Sequence, residues 1–237
     1  MRLLCLFLCA AFCLSGEVIP TRTLEVVNSH AIDSDTWVVF DVDMTLIVPK
    51  ETILWGGAYE QLVAMARRTI PDFEEKQASY YRNIIMEEAK WMLIEETSPQ
   101  LVASLQEKGA TVIALTAMEY EFSDWRVNHL LGFGLDFSNA PKTDFYCYKK
   151  GVLFSDNTPK GEVLLSFFNH LGVKPKKVIF FDDSRKFIDS VESELTKAGI
   201  SVTCYHYQEI DHRPIHFIPA KVREKMRTLF AEGRWPE

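Results

Sequence analysis

Val38-Val39-Phe40-Asp41-Val42-Asp43-Met44-Thr45-Leu46 is an apolar run that ends in two carboxylates two positions apart, followed by a threonine. Trp37 to Phe40 is short, β-branched and aromatic, which suits a strand covered on both faces in a parallel α/β sheet. Ligands of such sheets gather at the carboxyl ends of the strands. Carboxylates just past that edge are partly desolvated and close to one another, an arrangement that is costly without a cation or a proton. A divalent metal meets that need.

An Asp-X-Asp pair alone also occurs in solvated turns and calcium loops, so its meaning depends on partners elsewhere in the chain. Three stretches supply them. Ala110-Thr111-Val112-Ile113-Ala114-Leu115-Thr116-Ala117 is a second apolar strand, ending in a hydroxyl. Lys177-Val178-Ile179-Phe180-Phe181-Asp182-Asp183-Ser184 is a third, ending in adjacent acids. Between them, Thr158-Pro159-Lys160-Gly161-Glu162 opens an apolar-periodic helix that runs to Leu171 and stops at Gly172, with Lys160 in its first turn.

In this order, strand-Asp-X-Asp-X-Thr, strand-Thr, helix-start Lys and strand-Asp-Asp resemble the four motifs of the haloacid dehalogenase-like (HAD) superfamily. The match spans Trp37 to Tyr205, and the chain is similar to an uncharacterised secreted bacterial branch of that superfamily. The resemblance implies an α/β fold, a doubly wound parallel sheet with a small helical cap inserted after the first strand. It further implies a magnesium-dependent phosphatase that hydrolyses a small phosphorylated substrate. By that likeness Asp41 is the nucleophile that forms an aspartyl-phosphate, and Asp43 is the general acid and then the base for water. Thr116, with Thr45 nearby, would bond the transferring phosphoryl oxygens, and Lys160 would neutralise charge on nucleophile and phosphoryl group. Asp182 and Asp183 would hold Mg²⁺ with Asp41 and the backbone carbonyl of Asp43, a set of hard oxygen donors.

Other readings stay open beside these. Lys142, Lys149 and Lys150 are rivals of Lys160, Thr116 also suits a helix cap, and Asp183 suits either direct ligation or support of a ligand. Asp189, on a helix from Phe187 to Ala198, is read as a helix-start charge rather than a further site acid. A phosphotransferase or phosphomutase of the same superfamily keeps both aspartates. An exported binding module on the same scaffold keeps the fold without the reaction.

Met1-Arg2, the apolar Leu3 to Leu14 and Ser15-Gly16-Glu17 have the charged start, short apolar core and small-residue exit of a secretory signal peptide. Export to the periplasm or beyond follows, with residues 1–16 as leader, cleavage between Gly16 and Ile19, and one HAD-like domain over residues 17–237. The apolar core is too short to span a bilayer comfortably, so no stable membrane span is expected in the mature chain. Of five cysteines only Cys147 and Cys204 lie outside the leader; no zinc pattern surrounds them, and the reading leans to free thiols. With 26 basic against 33 acidic side chains, the formal charge of −7 and the lack of a basic cluster argue against nucleic acid as partner.

Ile47 to Pro99 is longer than one crossover helix requires and is expected to hold the cap, at about residues 50–98. Trp55, Tyr59, Leu62, Val63 and Ala66 fall on one helical face, as do Tyr80, Tyr81, Ile84, Ile85, Trp91 and Met92, with Pro71 between the two helices. A helix from Glu119 to Leu131 is followed by two short strand-like runs around Lys149-Lys150-Gly151, expected to form a hairpin. His206, His212 and His216 lack a ligand-like spacing and are assigned to a surface loop before a helix from Ala220 to Glu232.

Overall fold

A computed structural model describes residues 16–55, 63, 64, 66–68, 70, 75–214 and 219–236. Residues 1–15 of the expected leader, and Tyr59, Leu62, Pro71 and His216, lie outside the described residues. The strands of the main sheet are β1 (Glu17–Thr21), β2 (Thr36–Phe40), β5 (Thr111–Thr116), β6 (Tyr148–Lys149), β7 (Val152–Phe154), β8 (Lys177–Asp182) and β9 (Ser201–Tyr207). Their spatial order is β1-β9-β8-β2-β5-β7-β6, and every pair is parallel except β6 with β7. After β1 at one edge, the chain enters the middle at β2, moves outward through β5 to β7, then returns to β8 on the other side of β2 and runs on to β9, which pairs with β1. Right-handed crossovers on the two sides of a starting strand put helices on opposite faces, which is the doubly wound arrangement. The crevice where the order reverses opens at the carboxyl end of β2.

The core follows from the apolar runs. Residues 36–40 of β2, 112–116 of β5 and 178–182 of β8 are all buried, as strands covered on both faces require. The helices are α1 (Glu75–Glu88), α2 (Ser98–Glu107), α3 (Ser123–Gly132), α4 (Lys160–Leu171), α5 (Arg185–Lys197) and α6 (Pro219–Glu232). Gly172 ends α4 in the left-handed conformation with φ 65°, as its position in the sequence predicts. The hairpin is present: Lys150 and Gly151 both have positive φ, as a two-residue primed turn requires, and β6–β7 closes one sheet edge. Only glycine fits at position 151, where a Cβ would lie 2.1 Å from the Phe137 carbonyl oxygen.

Three elements differ from the sequence reading. Trp91 and Met92 belong to a strand, β4 (Trp91–Leu93), paired antiparallel with β3 (Ile47–Pro49), and not to the helical face of Tyr81 and Ile85. Helix α1 ends at Glu88, and the pairing of residues 91–93 with 47–49 overrides the helical spacing of the apolar side chains. The edge strand β1 was not anticipated; Pro20 within it is tolerated at an edge, where one side needs no ladder hydrogen bond. His206 lies within β9, not in a surface loop. Cys147 and Cys204 are buried free thiols.

Pro49, Leu54, Ile85, Met86 and Trp91, all between β2 and β5, border the crevice, and this part of the chain is braced from the C-terminus. The Tyr81 ring packs 4.9 Å from that of Phe230 on α6, and Lys225 Nζ pairs with Glu51 at 3.0 Å.

Candidate active site

Asp41 is the first residue beyond β2, and its backbone N–H donates to the Phe181 carbonyl at 2.8 Å, continuing the β2–β8 ladder by one step. That register sets its carboxylate beside Asp182, the last residue of β8. Lys160 opens α4 and is delivered from the side by a close helix contact. A Cβ on Gly161 would lie 2.2 Å from the Ser190 carbonyl oxygen, and the Gly161 N–H donates to Ser190 Oγ at 3.0 Å. The first turn of α4 is thereby pressed onto α5, and the Lys160 side chain runs inward, fully buried.

Its ammonium bridges two acids. Lys160 Nζ pairs with Asp41 Oδ1 and, at 2.7 Å, with Asp182 Oδ2, while 4.6 Å away it faces the Phe187 ring. Asp182 Oδ1 accepts the Ser184 N–H at 2.8 Å. Asp41 Oδ2 is buried and, among the described residues, has no hydrogen-bond partner. One oxygen from each of Asp41, Asp182 and Asp183 can be chosen so that all three lie within 4.8 Å of one another. Burial pushes the Asp41 carboxyl up to about 7, against the pull of Lys160, and the charges of Asp182 and Asp43 add to the rise. Burial likewise raises Asp182, and raises Asp183 well above its ordinary value. Burial works to lower Lys160, but Asp182 and Asp41 outweigh it and leave the ammonium more firmly protonated than usual. Three acids thus share one fixed cation, an arrangement short of positive charge. The hard oxygen donors, their mutual spacing and the unpartnered Asp41 oxygen fit a magnesium ion.

Asp43 faces a different cation. Arg126 Nη2, on α3, donates to Asp43 Oδ1 at 2.7 Å, and Thr116 Oγ1 donates to Asp43 Oδ2 at 3.3 Å. Thr116 Oγ1 in turn accepts the Met118 N–H at 3.1 Å, so this hydroxyl is engaged by the acid and the loop. Arg126 is fully buried, with its guanidinium carbon 5.0 Å from the Trp91 ring centre and 4.8 Å from that of Trp125. The sequence reading missed it. Its signal was present: Ser123, Arg126, Val127 and Leu130 form the buried stripe of α3, so an arginine occupies a core position.

The turn between the two acids and β3 is tight, with Met44 at φ 65°, and folds Met44 back over the crevice. Above the acids lies a pocket of about 300 Å³ whose floor includes Asp41, Asp43, Asp183 and Ser184. From the β9 side, His206 Nε2 lies 3.0 Å from the Asp183 carbonyl oxygen, so this nitrogen carries the proton.

A model for a protein of unknown function, DUF2608, matches residues 20–229. The chain belongs to the DUF2608 family. An uncharacterised protein of Rickettsia prowazekii is 22% identical over 267 residues, covering 100% of this chain and 93% of the relative. A Chlamydia trachomatis protein provisionally named an outer membrane protein is 23% identical over 214 residues, covering 86% of this chain and 82% of its own length. Among solved structures, a HAD-superfamily hydrolase of Geobacter sulfurreducens matches at 18% identity and a TM-score of 0.41, covering 76% of this chain and 99% of the other. At so low a score the fold of this DUF2608 chain rests on its own strand order.

In this DUF2608 chain Asp41, Asp43, Thr116, Lys160, Asp182 and Asp183 converge on the carboxyl edge of β2, β5 and β8. Lys142, Lys149 and Lys150 line a separate hollow, and Lys149 pairs there with Asp124 at 2.6 Å. Asp189 is exposed on α5 and pairs with Arg185 at 2.7 Å, one turn away. Thr45 is buried, and its Oγ1 has no partner among the described residues.

Proposed function

We propose that this protein is a magnesium-dependent phosphomonoester hydrolase of the HAD type, acting through an aspartyl-phosphate on Asp41. The observation that carries the reading is the unpartnered Asp41 oxygen within a three-acid cluster, beside a fully buried lysine that already neutralises the other oxygen. Asp41, Asp182 and Asp183 would hold Mg²⁺, with the Asp43 carbonyl as the further donor implied by the resemblance. When bound, the ion neutralises charge on the phosphoryl oxygens and on the acids.

The side chains account for the rest. Asp41 attacks phosphorus through a carboxylate oxygen as the bond from phosphorus to the leaving oxygen breaks, and Asp43 gives that leaving oxygen its proton. In the second half Asp43 takes a proton from water, the water oxygen bonds to phosphorus, and Asp41 is released as a carboxylate. Lys160 stays protonated throughout and holds Asp41 in one orientation. Arg126 and Thr116 together fix the rotamer of Asp43.

Export is part of the proposal. The leader-like first residues support it, as does the name of the chlamydial relative; among the described residues no helix is long and apolar enough to cross a membrane. The test is phosphate release from a panel of phosphomonoesters with Mg²⁺ or EDTA. Turnover that needs Mg²⁺ and disappears in both Asp41→Asn and Asp43→Asn supports the proposal. Turnover that survives in Asp41→Asn would refute it.

A further inference from the structure

The pocket above the acids has two chemically distinct halves. Its floor holds the carboxylates, and its walls are formed by Met44, Ile85, Met86, Trp91, Met118 and Phe187. These come from the turn after β2, α1, β4, the loop after β5 and α5, so five parts of the chain present apolar groups to one space. The polar edge of Trp91 is turned away, since its Nε1 donates to the Met86 carbonyl at 3.1 Å. Three of the six are methionines, which adapt to irregular apolar shapes and make favourable contacts with rings.

Charge sharpens the point. Every charged residue among the described lining residues is an acid: Asp41, Asp43, Asp183 and Glu119. The cations paired with these acids and with Asp182 are fully buried, Lys160 on Asp41 and Asp182, and Arg126 on Asp43. A second phosphate or a carboxylate on the substrate would meet Glu119 with no cation among the described lining residues to balance it. Against the methionine and tryptophan walls a polyol's hydroxyls find no partners, Glu119 and Ser184 being the described polar lining groups besides the three aspartates, and unpaired polar groups are costly to bury. The volume of about 300 Å³ is at the small end for ligand pockets, enough for a phosphoryl group and one compact organic group.

We infer that the substrate is a phosphomonoester of a small, uncharged, apolar alcohol. The inference rests on the phosphatase reading of the site and adds the identity of the leaving group. It excludes sugar phosphates, nucleotides and phosphoamino acids as preferred substrates.

The experiment compares cyclohexylmethyl phosphate with glucose 6-phosphate, both six-membered rings on a primary phosphate, and adds O-phosphoserine. The protein carries Mg²⁺, and kcat/KM is read for each. The expected result is a preference of at least about tenfold for the cyclohexylmethyl ester, in line with removing one ring from water. Met86→Arg, which places a cation in the wall, should shrink that preference and raise O-phosphoserine relative to it; Met118→Lys serves if the first variant fails to fold. Equal or better turnover of glucose 6-phosphate or O-phosphoserine by the unaltered protein would overturn the inference while leaving the phosphatase reading intact. Should no ester turn over, the hydrolytic reading fails, and calorimetry with Mg²⁺ decides the pocket separately. Tighter binding of cyclohexylmethyl phosphonate than of 2-hydroxyethyl phosphonate, with a negative heat-capacity change, would support an apolar site, and equal or absent binding of the two would overturn it.

Discussion

Lys160→Met tests whether the lysine is what makes the acid cluster tolerable. The side chain is fully buried, and its ammonium is shared by Asp41 and Asp182, whose own exposures are 4% and 0%. Methionine preserves much of the volume and removes the charge. Breaking a buried ion pair by deleting one partner costs about 3–5 kcal/mol, a large part of the roughly 5–15 kcal/mol that holds a domain folded. The loss is limited because the orphaned acids can take up protons. With the lysine present, burial already pushes Asp41 up to about 7, and without it both acids rise further. A carboxyl whose folded-state value is raised contributes stability fully present below its unfolded value of about 4 and lost as pH rises through its folded value. The cost of Lys160→Met is therefore greatest near pH 7.5 and shrinks towards pH 5. Urea unfolding in EDTA, followed by tryptophan fluorescence, measures it at both pH values, with an unchanged denaturant slope as the sign that the native state is intact. Adding Asp182→Asn to Lys160→Met should recover part of the loss at pH 7.5. A variant within about 0.5 kcal/mol of the unaltered protein, or one whose deficit grows on acidification, would refute the reasoning.

Arg126→Met should lower turnover most for esters with poor leaving groups and least for p-nitrophenyl phosphate, because it frees the rotamer of the proton donor Asp43; a uniform loss across leaving groups would show a structural role only. Gly161→Ala should destabilise the fold by about 1–3 kcal/mol and depress activity, since the new methyl group meets the Ser190 carbonyl and pushes Lys160 out of place; thermal unfolding and a kcat measurement check both effects. His129 packs on Trp91, Trp125 and Phe133, and burial pushes it down to about 4, with Arg126 adding to the fall. Its neutral form is favoured when folded, so stability is held above the unfolded value near 6.5 and lost as pH falls from there to 4. After discounting for partial solvent exposure, this amounts to about 1–2 kcal/mol, and His129→Phe should flatten that part of the pH–stability profile.

The main residues of the candidate site were legible in the sequence because each sits at a local boundary. Asp41, Thr116 and Asp182 follow apolar strands, and Lys160 follows a Thr-Pro helix start, so strand and helix patterns alone bring them to one edge of a parallel sheet. What the sequence hid depends on pairing at a distance. Arg126 meets Asp43 across 83 residues, and nothing near either residue announces the other. Trp91 has helical spacing from Tyr81 and Ile84, yet its partner is Pro49 on β3, and strand pairing decides its place. The strand β1 is short and contains a proline, so its register on β9 is set by the sheet edge rather than by its own pattern. His206 was grouped with its neighbours in the chain, whereas its hydrogen bond to the Asp183 backbone is a property of adjacent strand ends.

In the proposed mechanism Asp41 carries the phosphoryl group. Rapid acid quenching during turnover with Mg²⁺, followed by borohydride reduction and peptide mapping, converts an aspartyl-phosphate at that position to homoserine. Homoserine is expected at position 41 during turnover, none in substrate-free protein and none in Asp41→Asn. Steady phosphate release with Asp41 recovered only as aspartate would contradict it.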